Sequence, residues 1–489
     1  MAPVLGKPVG AMPLLVSRLC RLAPTSLSLT NSNMGRISRR GAHDLRSRVK
    51  DLTRLTFLMN PSQPTDYAKV LATAKKHPRL KNPDKHDAAV LLVTPEYSRA
   101  LEDDQLMADF AQLMTGGTNV SQFHIAAGVV DTLRAHGPSG GPQSGISLLR
   151  GHSQHLLPRL WEPSPLKAVE DTDAASVLAF DLGHVSVTLP LANTIFHNQR
   201  PSTLFAYRFD AANGGLRLTQ RVEKSAQTVN LALDPAPRSI ADVNVSMALL
   251  PITRPRRIAN SFGNIVRRIE VDGESIPAST ELEDVLNNPS DVVKSNALRG
   301  VWAIVAPQES LMAEFDSSYN SIAQAGSGNS QRTTSQVQNI LANRGRIYKI
   351  LSGGGGWGTK KGLLSLDPQE SHFSLSEEEE MDRFMKEMSD SGFAPADSSI
   401  QFFLALDEST TPREHPWFSL SVAGEPASDE AHETTDTMEA VTESFGACSN
   451  KGLFVSWPQG GGAGSESTLA RWKLSVPNSV ISIGNGGVL

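Results

Sequence analysis

Cysteine is nearly absent: the 489-residue chain holds two, Cys20 and Cys448. Cys20 lies in an unusual N-terminal segment; without that segment one thiol remains, and one thiol makes no internal disulfide. A disulfide-stapled secreted scaffold is therefore excluded. No run of about 18 apolar residues occurs, so no transmembrane helix is expected. Hydrophobic residues reach only 39%, which predicts that part of the length stays unstructured. Acidic residues are missing from the first 40 positions, which carry Lys7, Arg18, Arg21, Arg36, Arg39 and Arg40. The formal charge of −5 is thus unevenly spread: the remaining chain has 40 basic against 51 acidic residues, a balance near −11. Such a body is a poor general polyanion binder, which argues against direct nucleic-acid contact.

What is present begins with an address. Residues 1–43 are rich in Arg and Ser, acid-free up to residue 40, and carry Leu14, Leu15, Val16, Leu19, Leu22, Leu27 and Leu29 between the charges. That composition predicts a mitochondrial transit peptide and a matrix location. A secretory signal would need a longer unbroken apolar run than Met12 to Val16. Residues 44–87 read as a polar helical or linker segment broken by Pro61, Pro64, Pro78 and Pro83.

The length beyond them predicts two domains. In the first, 88–290, the apolar run Ala88 to Thr94 reads as a buried strand. A helix follows with Leu106, Met107, Phe110, Leu113 and Met114 on one stripe, and Gln122 to Val130 reads as a second strand. Strand–helix–strand implies an α/β layer. From Ser176 to Thr253 short strands succeed one another, with a hairpin signal at Ala212-Asn213-Gly214-Gly215. In the second domain, 297–489, strands are expected at Val301 to Ala306, Gln401 to Leu406, Trp417 to Val422, Leu453 to Trp457, Arg471 to Val476 and Ser479 to Ile483. A helix opens with the capping-box pattern at Ser376-Glu377-Glu378-Glu379. Residues 424–440 are acidic and poor in apolar side chains, the composition of a disordered insertion. The expected fold class is α+β, two mixed α/β domains with largely mixed or antiparallel sheets.

Residues 254–287 carry a turn at Gly263-Asn264, a strand from Ile265 to Val271, then Asp272-Gly273, Pro277-Ala278 and a helix with Ser279 as N-cap. This passage resembles FIST sensory domains, and the strand–helix–strand start at Ala88 is compatible with that family's N-terminal half. The resemblance covers residues 88–290. It implies a small-ligand-binding sensory module, and it transfers no site residue.

The candidate functional element lies elsewhere. The β-like run Arg346 to Leu351 enters Gly353, Gly354, Gly355 and Gly356, followed by Trp357, Gly358, Thr359, Lys360 and Lys361, then a second β-like run, Leu363 to Leu366. The loop, residues 353–362, combines backbone freedom, an indole and positive charge. Gly353, Gly355 and Gly358 satisfy G-x-G-x-x-G, but no helix follows to receive a pyrophosphate. Lys360 does not directly follow Gly358, so the phosphate-loop pattern fails too. Competing readings are a wide hairpin turn and a lid or docking tip with Trp357 as anchor and Lys360 and Lys361 as charge contacts.

Other candidates are weaker. Cys448 would be a nucleophile only beside a base, and a buried inert thiol is the better reading. His152, His155, Asp181 and His184 match no zinc spacing. Arg254, Arg256, Arg257, Arg267 and Arg268 form a basic cluster that could meet RNA or an acidic protein, or could guard a strand edge. No catalytic residue and no metal site is assigned, and no cofactor is identified. The sequence is read as a mitochondrial ligand-binding or protein-interaction module, non-enzymatic, taking a small anionic ligand or a protein partner. Its site residues are Gly353, Gly354, Gly355, Gly356, Trp357, Gly358, Lys360 and Lys361. Two alternatives stand beside it: an enzyme binding a phosphate-bearing cofactor or substrate at Gly353–Lys361, and an accessory subunit of a large assembly such as the mitoribosome.

Overall fold

The computed structural model describes residues 52–59, 67–81, 86–135, 143–163, 175–212, 215–231, 233, 235–288, 300–308, 337–353, 362–370, 372, 381, 385, 393–406, 416–424, 438–459 and 468–484. All of them lie in one compact unit, Leu45–Leu489. Among these residues four sheets form.

The first has seven strands in the order Glu439–Thr442, Thr53–Met59, Ser144–Gly151, Ala88–Val93, Gln122–Val129, Leu204–Ala212 and Gly215–Glu223. Only Ala88–Val93 and Gln122–Val129 run parallel, because the helix Asp104–Met114 carries the chain back between them. Asp103 starts that helix: its Oδ1 accepts from the backbone N–H of Gln105 and Leu106, each at 3.0 Å. Met107, Phe110, Ala111 and Met114 then bury one stripe against Phe123, Ile125, Tyr207 and Phe209 of the sheet. At the far end Arg150, buried to 1% exposure, donates from Nη1 to the Met114 carbonyl at 2.5 Å, where the helix dipole favours a cation.

The second and third sheets have five strands each. One runs Ala226–Asn230, Val177–Asp181, Ser186–Pro190, Leu453–Gln459 and Thr468–Leu474. The other runs Asn244–Ser246, Val480–Ile483, Phe418–Val422, Phe445–Ser449 and Thr132–Leu133.

The fourth closes on itself. Arg256–Phe262, Ile265–Val271, Leu364–Leu366, Arg346–Gly353, Val301–Pro307 and Ser398–Ala405 pair in a ring, every pair antiparallel. Leu249–Pro251 and Glu274–Pro277 are appended to it. Period-two alternation sorts the barrel's side chains. Ala303, Val305, Tyr348, Ile400, Phe402 and Leu404 share one apolar cluster with Ile258, Val266, Ile269, Leu364 and Leu366. Their neighbours Trp302, Ile304, Ile347 and Phe403 belong to the large cluster that also takes in the two five-stranded sheets. Each of the four sheets draws strands from both sides of residues 291–296, so the stretches 88–290 and 297–489 are interleaved.

The α+β expectation is corrected. Of the described residues 49% lie in strands and 19% in helices, with several sheets and a six-stranded barrel. The longest helix covers one face of the first sheet, Leu282 of Thr280–Asn287 joins the barrel cluster, and Val337, Ile340 and Leu341 join the large cluster; the other sheet faces pack on one another or line the barrel. Part of the difference is the segment 44–87, read as helical and polar, which contains the strand Thr53–Met59. Its five central residues are buried on both faces, and a strand buried on both faces loses the alternation that would reveal it. Most of the acidic stretch 424–440 and the capping-box segment at Ser376 lie outside the described residues, and Glu439 opens the edge strand of the first sheet.

Candidate functional site

The glycine loop is rooted in the barrel. Arg346–Gly353 and Leu364–Leu366 are antiparallel neighbours with Gly353 opposite Leu364 and Ser352 opposite Ser365. The segment between them is therefore a hairpin connection, and the element after the glycines is a strand, as read from the sequence. A Cβ on Gly353 would sit 2.5 Å from Leu364 Cδ2, so a larger residue there would require the Leu364 side chain to shift. On the returning limb Gly362 has φ +85°, and a Cβ there would meet Pro277 at 2.4 Å. Its carbonyl accepts from the Ser279 N–H at 3.1 Å, tying the loop's base to the segment that resembles FIST domains. Of the eight expected site residues, Gly353 is described; Gly354, Gly355, Gly356, Trp357, Gly358, Lys360 and Lys361 lie outside the described residues.

The other end of the same hairpin forms a cleft of about 260 Å³, counting the part open to solvent. It is lined by Arg346 to Lys349, by Asp367, Gln369 and Glu370, and by Arg471, Trp472, Lys473 and Ser475. At about 3.3 Å per residue, Lys349 stands about 13 Å from Gly353, so loop and cleft occupy opposite ends of one strand. The cleft exists because two layers meet there. Trp472 of the five-stranded sheet donates Nε1 to the Ile347 carbonyl at 3.3 Å, and Trp302 of the barrel donates Nε1 to Ser475 Oγ at 3.2 Å. Both indoles are fully buried, and each satisfies its single donor across the seam.

Four cations and two carboxylates line the cleft. Lys473 Nζ donates to Asp367 Oδ2 at 2.8 Å and to Gln369 Oε1 at 2.7 Å. Arg346 differs. Its Nη1 donates to the Gly345 carbonyl at 2.7 Å, and its guanidinium lies 5.1 Å from the centre of the Trp457 ring. Among the described residues it forms no ion pair. Burial pulls its pKa below the ordinary arginine value, while Tyr348 and Glu370 pull the other way. Burial also pushes the Tyr348 phenol well above its usual range, with Glu370 adding to the rise. Sequence reasoning named neither Arg346 nor Lys473 as a site residue. The available signal was charge inside a β-like run, at Arg346 and Lys349.

The remaining sequence candidates resolve differently. Cys448 is buried, its Sγ 2.7 Å from Ser421 Oγ, and burial is the main cause of its raised pKa. His152 packs edge-on to His86 at 5.2 Å, whereas Asp181 Oδ1 caps its own turn by accepting from the Gly183 N–H at 2.8 Å. No group of three or more metal-ligating side chains forms among the described residues. Two of the five arginines in the cluster are paired with carboxylates where they stand. Arg256 makes a forked contact with Glu281, Arg257 meets Glu270 and Asp397, and Arg268 bonds Ser275.

No helix among the described residues is long and apolar enough to cross a membrane. Comparison with protein-family models, with curated proteins and with solved structures finds no match to this chain.

Proposed function

We propose that this chain is a FIST-like ligand-binding module of the mitochondrial matrix, non-enzymatic, taking a small anionic ligand at the hairpin Arg346–Leu366. The observation that carries the reading is the cleft at the hairpin's base. Cations outnumber carboxylates there, in a chain whose net charge is −5. Such a local reversal of sign concentrates anions against the background field. Trp357, Lys360 and Lys361 are assigned the ligand contacts at the glycine loop, with the glycines admitting backbone amides, and the cationic cleft draws anions to the other end of the same hairpin. The acid-free leader supplies the location.

The test is affinity purification of the chain from mitochondria, with mass spectrometry of the small molecules that stay bound. Wild type is expected to retain an anionic metabolite that the triple variant Trp357→Ala/Lys360→Ala/Lys361→Ala loses, with thermal stability nearly unchanged. A retained ligand that is neutral or cationic, or equal retention by the triple variant, refutes the assignment. Exclusion of the tagged chain from mitochondria refutes the location.

A further inference from the structure

We infer that Arg346 is the anchor of this site and that its ligand ends in a dianionic oxyanion, the chemistry of a phosphate monoester or a small dicarboxylate. The inference rests on the binding reading above and deepens it.

Three observations point the same way. First, the guanidinium is under-used. An arginine offers five N–H donors, and the bond to the Gly345 carbonyl takes one of them. Among the described residues no carboxylate stands at ion-pair distance from it, Glu370 of the same cleft acting only from farther away, although the arginines at 54, 200, 221, 256 and 257 all have one. Second, its position is fixed. Arg346 opens a barrel strand, opposite Val305, and stacks toward Trp457 of the neighbouring sheet. The fork is therefore held with little rotamer freedom left to lose, the condition for bidentate recognition of a carboxylate or phosphate. A largely buried guanidinium with no carboxylate in contact among the described residues is costly, and an arriving oxyanion offsets that cost.

Third, the charge count sets the ligand's valence. Lys473 is already matched by Asp367. Lys349, three residues along the strand, is exposed, forms no ion pair among the described residues, and has Nζ 6.0 Å from the Trp302 ring centre. The cleft as a whole holds four cations against two carboxylates, Asp367 and Glu370, and so presents a surplus of two positive charges. A phosphate monoester carries close to two negative charges at neutral pH, as does a dicarboxylate. A single carboxylate leaves one of the two unmatched.

The experiment is calorimetric titration of the purified full chain with inorganic phosphate, glycerol phosphate, succinate and acetate, at constant ionic strength set with sodium chloride. Phosphate or glycerol phosphate on one side and succinate on the other separate the two sources of a dianion. Wild type is expected to bind at least one dianion more tightly than acetate by about tenfold, one charge-assisted contact. Arg346→Gln is expected to weaken that dianion by about tenfold or more, and Arg346→Lys by nearly as much, since it keeps the charge and loses the fork. Lys349→Gln is expected to bring the dianion's affinity down toward that of acetate. Arg346→Lys also serves if Arg346→Gln does not fold. Dianion binding unchanged in both Arg346 variants but lost in the Trp357/Lys360/Lys361 variant overturns the anchor and leaves the module reading standing. Acetate bound as tightly as every dianion overturns the valence. No binding of any of the four by wild type overturns the inference, while the ligand recovered from mitochondria still decides the broader reading.

Discussion

The seam between barrel and sheet can be tested through one ion pair. Lys473, on Thr468–Leu474, reaches Asp367 just beyond the barrel strand Leu364–Leu366 at 2.8 Å, and the two side chains are 18% and 14% exposed. Asp367 Oδ1 also accepts from the Gln369 N–H at 3.0 Å, and its own N–H donates to the Lys349 carbonyl at 2.9 Å. The carboxylate is thus locked in place, and Lys473 pays little side-chain entropy to meet it. Exposed pairs contribute about 0.2–1 kcal/mol, whereas breaking a buried pair costs about 3–5 kcal/mol. With about a sixth of each side chain in water, Lys473→Met and Asp367→Asn should each cost about 2 kcal/mol. The double variant should cost about 2.5 kcal/mol, leaving a coupling of about 1.5 kcal/mol. Urea unfolding followed by tryptophan fluorescence reads it, and since largely buried charges are weakly screened the coupling should persist in about 0.5 M salt. A coupling below about 0.5 kcal/mol, or one abolished by salt, would show an ordinary surface pair and remove the reason for treating the cleft as a fixed structure.

Three further outcomes follow from the same geometry. Gly446→Ala places a Cβ 2.5 Å from the carbonyls of Arg134 and Ser419 and should cost about 3 kcal/mol. Gly273→Ala, at φ +86° with open space around it, should cost about 1 kcal/mol; equal thermal shifts for the two would refute the packing at Gly446. Burial holds the His124 and His372 imidazoles below the ordinary histidine value. Below about pH 6.5 the unfolded chain therefore binds more protons than the native one. Their stabilisation is present above that pH and is lost as pH falls through the depressed folded values. His124→Gln should flatten the fall in stability between pH 6.5 and the acid end, and an unchanged slope refutes it. In a Cys20→Ser background, Cys448 should react with a disulfide reagent at the rate of global unfolding, and fast native-state labelling would contradict its burial.

Some of this fold is legible in one dimension. Ala88–Val93 announces itself as a short apolar run, and Ile265–Val271 as a strand after a Gly-Asn turn. The glycine loop reads as a hairpin because β-like runs flank it, and Gly353 does face Leu364. The barrel is not legible. Its closure depends on Val301–Pro307 meeting Ser398–Ala405 about a hundred positions away, and no local pattern encodes that register. Thr53–Met59 fails for a related reason: its partners, Ser144–Gly151 and Glu439–Thr442, come from distant segments and cover both edges of a strand whose flanks look polar.

The same limit governs the site, and two arginines show why. Arg257 and Arg346 each stand at or near the start of a barrel strand, and in the sequence both are charges at the edge of a β-like run. Register brings Glu270 directly opposite Arg257, and Asp397 approaches from the loop before Ser398–Ala405, so its charge is spent on holding three segments together. Register brings Val305 opposite Arg346, and the neighbouring sheet contributes an indole, so its charge meets a carbonyl and a ring. Residue type and local context are alike in the two cases; the counter-ions differ, and they arrive from elsewhere in the chain. Whether a charge keeps an ion-pair partner among the described residues is therefore decided by strand pairing rather than by the residues on either side.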